Sequence, residues 1–314
     1  MPTDLQIRPF LPRFGAEISG MDIARPLDEE QRRAVLDAQN RWGVTLWRNT
    51  GLSDETHIAF SRNFGQLELA PAPGGRPYRH AHRELFDASN LDPSGNINKD
   101  ELIRAHARGN QLWHTDASYM KIRTWLSLLL CHAAPSSGGE TCFADMRGAY
   151  DDLPPSMKTR LEGLEARHSL WWSRKQGGFP LTDEEVDARG YVQHPLVHVH
   201  EGSGRKALYL GAHVRDIAGM PRDAGEALVK ELIEFATQPR YVFAARYQPG
   251  DLSIWDDLCT MHRGGGFDEL NQRRDMRRTS VREGHAREGA EDQFTDLYKA
   301  AGISIFSAPK RPDR

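Results

Sequence analysis

Apolar positions recur at helical spacing in three stretches of the chain. Between Asp223 and Thr237, residues Ala224, Leu228, Leu232 and Phe235 fall on one side of a helix, and Pro239 follows its end. A second helix is predicted after Ser53, with Ile58, Phe60 and Phe64 as its apolar side and Gly65 as its stop. A third follows Asp28. Gln31, three residues on, completes a capping-box pattern, and the helix runs to about Trp42 before Gly43.

Elsewhere the apolar residues come in short β-branched or aromatic runs. These are VTLWR (44–48), WLSLLLCHA (125–133), PLVHVH (195–200), KALYLG (206–211), YVFAARY (241–247), DLSIW (251–255) and RRDMRRTSV (273–281). Gly, Pro, Asp and Ser bound them, as expected of strands. HEGSGRKA reads as a hairpin turn between two of them. Many strands with few helices between them predict a mainly β fold with peripheral helices, an antiparallel double sheet or jelly roll. The 314 residues suit one large domain of this kind. Segment 70–112 breaks the pattern, being polar and rich in Pro, Gly and Asn. It reads as a substrate lid or binding loop, with a mobile insertion as the alternative. The polar tail after about Ala286 is expected to be loosely held.

Composition removes several function classes. A net charge of −3 argues against nonspecific nucleic-acid binding. No apolar run approaches the roughly 18 residues of a membrane span, and the first residues lack a secretory pattern. Cys131, Cys142 and Cys259 are odd in number and far apart, so they suggest neither a disulfide framework nor a thiolate metal site. Free thiols point to a reducing compartment, the cytoplasm. There is no phosphate-binding P-loop and no nucleophile elbow.

The candidate chemistry starts at LWHTDASY. On a strand, His114 and Asp116 would point the same way. Two imidazoles and one carboxylate on one side of an iron leave positions open for cosubstrate and oxygen. With 13 histidines in the chain, the pair alone is weak evidence. A third ligand must come from a distant strand, and His262 in WDDLCTMHRGGGFD is the best candidate. In the strand that follows, Arg274, Met276 and Arg278 share one face. Arginines turned into a β-barrel need anions to meet them, and a guanidinium suits a carboxylate better than Lys does. His198 and His200 in HVH could pair by the same strand logic, and His213 in GAHV could be a pocket residue.

Taken in order, FGAEISGMD, HIAFSRNFGQLE, NQLWHTDASYM, PSSGGETCFADMRGAYDDLP, GDLSIWD, MHRGGGFD and RRDMRR resemble the taurine dioxygenase family of Fe(II)- and 2-oxoglutarate-dependent oxygenases. The resemblance spans roughly residues 5–282 and is greatest to the dichlorophenoxyacetate (aryloxyalkanoate) branch. It implies a double-stranded β-helix with His114, Asp116 and His262 as iron ligands. It implies Thr141 and Arg274 on the distal carboxylate of 2-oxoglutarate; Trp255, near the metal strand by position, could line the cosubstrate pocket. It places the acidic group of the substrate at Arg278, with Asn110, His200 and His213 nearby. Fe(II), 2-oxoglutarate and O2 are thus expected, with a small acidic molecule as substrate and a homo-oligomeric assembly. The reaction implied is hydroxylation coupled to formation of succinate and CO2. Where the hydroxylated carbon bears an ether oxygen, the product collapses to a phenol and an oxoacid. The alternatives are a sulfonate or alkyl-sulfate dioxygenase and a non-catalytic 2-oxoglutarate-binding protein. Two departures stand out. Asp257-Leu258 replaces the usual Asn-Arg, and no basic residue follows FGQLE, where Leu69-Ala70-Pro71-Ala72-Pro73 stands instead.

Overall fold

A computed structural model describes residues 5–71, 78–284, 293 and 297. The predicted helices form where their caps allow. Glu29–Trp42 starts at a capping box of Asp28 and Gln31, and Asp54–Arg62 starts at one of Ser53 and Thr56. Arg222–Ala236 is the third. Among the described residues the pattern did not reveal five shorter helices, including Glu101–Arg108 and Leu170–Gln176. Each spans about two turns or fewer, too short for a helical repeat to stand out.

Among the described residues a large sheet carries seven strands. Its order is Gln6–Pro9, Ala16–Ser19, Val44–Trp47, Leu252–Asp256, Thr124–Ala133, Asp275–Arg282 and Phe86–Asp87. Its pairings are antiparallel except that between Ala16–Ser19 and Val44–Trp47. A smaller antiparallel sheet holds Val242–Ala245, Thr141–Asp145 and Thr260–Gly264 in that order. HEGSGRKA is a hairpin turn, with His200 opposite Arg205.

Strand alternation decides which side chains enter which layer. Along Thr124–Ala133, Leu128 and Leu130 pack with Ile58 and Phe60 of the outer helix, while Leu129 and Cys131 face inward. The inward set meets Phe143, Phe243 and Ala245 of the small sheet, with Trp255 and Met276 between them. This is two sheets closed over an apolar core, the jelly roll with peripheral helices that the sequence predicted. The cysteines are unpaired. Segment 70–112 is more ordered than its composition suggested. It supplies the Phe86–Asp87 strand, the Glu101–Arg108 helix and a tight turn at Gly109–Gln111. Residues 72–77 lie outside the described residues, as does the tail after Ala286 apart from positions 293 and 297.

Candidate metal centre

His114 and His262 meet across a single β-bridge at the edge of the small sheet. Each main-chain N–H donates to the other's carbonyl, at 2.9 and 2.8 Å. The exchange brings the two imidazole centroids to 4.2 Å. Asp116 reaches both rings. Its Oδ1 lies 3.9 Å from His114 Nε2 and its Oδ2 lies 3.6 Å from His262 Nε2. All three residues are buried. One donor atom from each can be chosen so that all lie within 4.8 Å of one another.

The route to this geometry differs from the one the sequence suggested. His114 and Asp116 do not share a continuous strand. After the bridge at His114 the chain enters a turn, and Ala117 takes a φ of +49°, a left-handed conformation that a non-glycine residue rarely adopts. The turn, not strand alternation, aims Asp116 at the histidines. Thr115 is held beneath by its hydroxyl, which donates to the carbonyls of Leu210 and Thr260 at 3.3 and 3.2 Å. Gly211 passes so close that a Cβ there would lie 2.8 Å from His114 Cα.

The surrounding groups orient the donors. His114 Nδ1–H donates to the Leu112 carbonyl at 2.7 Å, which leaves Nε2 with its lone pair toward Asp116. Asp257 Oδ1 accepts from the Asp116 amide at 3.0 Å and from Trp255 Nε1 at 3.1 Å. Ser127 Oγ sits between the two carboxylates, 3.0 Å from Asp116 Oδ2 and 2.7 Å from Asp257 Oδ2. Burial, then the neighbouring Asp116 charge, push Asp257 well above the usual carboxylate range. Ser127 Oγ can donate to either carboxylate and so ties Asp257 to Asp116.

Burial raises Asp116 as well, but the Arg278 guanidinium, the foremost of the opposing groups, holds the carboxylate ionised, below its usual range. Burial, then His114, keep His262 well below its ordinary value, and burial lowers His114 too. Two neutral imidazoles and one ionised carboxylate are the protonation states that metal ligation requires. Arg278 forms an ion pair with Asp116 Oδ1, so a cation already sits against this carboxylate. The donor set fits iron(II).

The other residues singled out from the sequence fall into two groups. Asn110, Thr141, His213, Trp255, Arg274 and Arg278 line one cavity of about 470 Å³ together with the three presumptive ligands. That volume suits a small organic molecule. Arg274 is half-buried, and it donates to the carbonyls of Gly139 and Ala88, both at 3.0 Å. No carboxylate among the described residues pairs with it, and burial lowers its pKa. Thr141 opens the central strand of the small sheet, opposite Gly264. A guanidinium and a hydroxyl on one cavity wall fit the free carboxylate of 2-oxoglutarate.

His200 belongs to the second group. Its Nε2 lies 2.9 Å from Asp256 Oδ2 and its Nδ1 lies 2.8 Å from Ser203 Oγ. It is absent from the cavity lining, so the substrate-contact role expected for it is corrected here: this ring is committed elsewhere. Leu258, the other half of the Asp257-Leu258 departure, is buried with its amide donating to Asp256 Oδ1 at 2.9 Å.

Three basic cavity residues escaped the sequence reading. Arg174 and His106 lie on the two short helices noted above. Arg79 reaches the lining from the segment that lacked a basic residue after FGQLE. Its guanidinium is held between Asp87 and Asp275, at 2.7 Å from each.

Comparison with known proteins agrees with this geometry. The family model described as "Taurine catabolism dioxygenase TauD, TfdA family" matches residues 6–280. An alpha-ketoglutarate-dependent 2,4-dichlorophenoxyacetate dioxygenase from Burkholderia sp. is 37% identical over 278 residues, covering 86% of this chain and 92% of the relative. An (S)-phenoxypropionate/alpha-ketoglutarate-dioxygenase from Sphingobium herbicidovorans is 33% identical, covering 87% and 93%. The crystal structure of AAD-2 in complex with Mn(II) and N-oxalylglycine superposes with a TM-score of 0.82 at 36% identity, covering 90% of this chain and 98% of that one. The chain therefore belongs to the TauD, TfdA family and is an Fe(II)- and 2-oxoglutarate-dependent dioxygenase.

Proposed function

We propose that the enzyme hydroxylates the ether-bearing carbon of a small aryloxyalkanoic acid. One observation carries the reading: the His114–Asp116–His262 triad shares a buried cavity with Arg274 and Arg278. The similar enzymes act, by their names, on 2,4-dichlorophenoxyacetate and phenoxypropionate.

His114, Asp116 and His262 would hold iron(II), which supplies activation of O2 coupled to decarboxylation of 2-oxoglutarate. Arg274 and Thr141 orient the cosubstrate by its distal carboxylate, with Trp255 packed beside His262 at 4.8 Å between ring centroids. Arg278 receives the acidic group of the substrate and is steadied over the ring of Phe86 at 5.2 Å. Asn110 and His213 bound the space that remains. Positioning matters because the reacting carbon must be fixed before an indiscriminate oxidant forms. One O2, one 2-oxoglutarate and one substrate give succinate, CO2 and the hydroxylated substrate. That product is a hemiacetal, and it collapses to a phenol and an oxoacid.

We read segment 70–112 as the cover of this cavity, within a single oxygenase domain spanning 1–314. No helix among the described residues is long and apolar enough to cross a membrane. The unpaired thiols suit a cytoplasmic enzyme, and the family resemblance favours a homo-oligomer. A panel of aryloxyalkanoates, sulfonates and sulfate esters, assayed for succinate, tests the function. Phenol release with aryloxyalkanoates supports it. Release of sulfite or sulfate, with no phenol, would overturn it in favour of a sulfonate or alkyl-sulfate dioxygenase.

A further inference from the structure

One wall of the cavity comes from the helices Glu101–Arg108 and Leu170–Gln176, which pack on each other and on the turn at Gly109–Gln111. Arg174 projects from the second helix and is 7% exposed. Its Nη1 donates to Asn110 Oδ1 at 2.9 Å. Its Nε is buried with no hydrogen-bond partner among the described residues, and no carboxylate there pairs with it. Two neighbours on this wall are in the same condition: His106 Nε2 and His213 Nδ1 are buried and unpartnered. The space for the guanidinium is built in. A Cβ on Gly109 would lie 2.3 Å from Arg174 Nη1.

The arginines of this cavity differ in their counter-ions. Arg79 is neutralised by Asp87 and Asp275, and Arg278 by Asp116. Arg274 faces the carboxylate of the cosubstrate in the reading above. Arg174 alone of the four has neither a carboxylate nor an assigned ligand. A buried charge without a partner is strongly unfavourable, whereas one met by a carboxylate is not. Asn110 holds the guanidinium by an amide oxygen, which fixes its orientation without neutralising it.

We propose that Arg174, positioned by Asn110, is a second anion contact for the prime substrate and selects acids over their neutral analogues. This rests on the function proposed above and sharpens it. The acid group is read by two guanidiniums: one shares its charge with Asp116 and the other is uncompensated. His106 and His213 flank the site as neutral polar contacts.

The test is Arg174→Gln in the full chain, assayed with the acid that the wild type turns over and with the corresponding neutral amide. Loss of a charge-assisted contact predicts a rise in KM of about 10- to 100-fold for the acid. KM for 2-oxoglutarate should stay within about twofold, and KM for the amide should barely move. Arg174→Lys should recover part of the loss. An unchanged KM for the acid, or equal losses on acid and amide, would overturn the proposal. If Arg174→Gln does not fold by circular dichroism, Asn110→Ala decides. It should raise KM for the acid more than for the amide, and an equal effect on both overturns the proposal. Failure of the function itself looks different, since the wild type would then form no succinate with any acid tested.

Discussion

The strand Leu252–Asp256 and the residue after it separate two buried His–Asp clusters of very different character. On one side Asp256 meets His200 and Cys259; on the other Asp257 backs His114, Asp116 and His262. Both clusters place donor atoms within metal-binding distance of one another. In the first, hydrogen bonds consume the polar atoms. His200 uses both ring nitrogens, and Asp256 accepts from Trp125 Nε1 at 3.1 Å and from the Leu258 amide. In the second, a hydrogen bond holds His114 Nδ1, while Nε2 of His114 and Nε2 of His262 both face Asp116, which attracts a guanidinium. Composition does not distinguish a structural cluster from a ligand set. The distinction lies in which atoms remain unsatisfied.

The comparison can be broken most directly by removing one member from each side. His114→Ala or Asp116→Ala should abolish oxygen-dependent succinate formation, while His200→Asn should retain most of it. Full activity in the first pair, or none in an intact His200 variant, would reverse the assignment. Next in size, Arg274→Ala should raise KM for 2-oxoglutarate, and Arg278→Ala should raise KM for the prime substrate, each by about 10- to 100-fold. Equal effects of either change on both molecules would show that the two arginines do not divide the work.

Asp257→Leu should weaken iron(II) binding by roughly 10- to 100-fold, because Asp116 loses the groups that orient it. Asp257→Asn should bind iron about as well as the wild type. Titration followed by intrinsic tryptophan fluorescence reads both. On the structural side, Asp256→Ala leaves His200 and Trp125 without an acceptor. It should cost about 1–3 kcal/mol of stability in denaturant unfolding, with less effect on iron affinity than Asp257→Leu.

The smallest effect concerns a buried histidine outside both clusters. His57 contacts Thr279 at 3.3 Å, and burial, then His132, lower it to about 3. The unfolded chain takes up this proton near the ordinary histidine value of 6.5, well before the folded one does. Stability should therefore fall as pH drops from about 6.5 toward about 3, by up to roughly 1.4 kcal/mol per pH unit from this group. In His57→Gln the melting temperature should decline less steeply over that window. An unchanged slope would remove His57 from the account.

Much of this was legible in the chain itself. The helix starts at Asp28 and Ser53 were readable because capping is local: side chain and amide lie within three residues. The ligand types, the arginines Arg274 and Arg278 and their order were visible as motifs. The turn that aims Asp116 was not, since nothing nearby announces a left-handed Ala117. Nor was the fate of His200, whose partner Asp256 is far away in sequence.

The sequence by itself thus determined the fold class and the donor set of the oxidising centre, because periodicity, caps and motif order are carried by neighbouring residues. Tertiary structure alone decided which His–Asp cluster is left open for a metal. It also decided that Asp257 backs Asp116 through Ser127 and the Asp116 amide, and that Arg174 stands uncompensated beside the substrate space. Those are questions of which distant groups meet in low dielectric, where satisfying or orphaning one polar atom changes its chemistry.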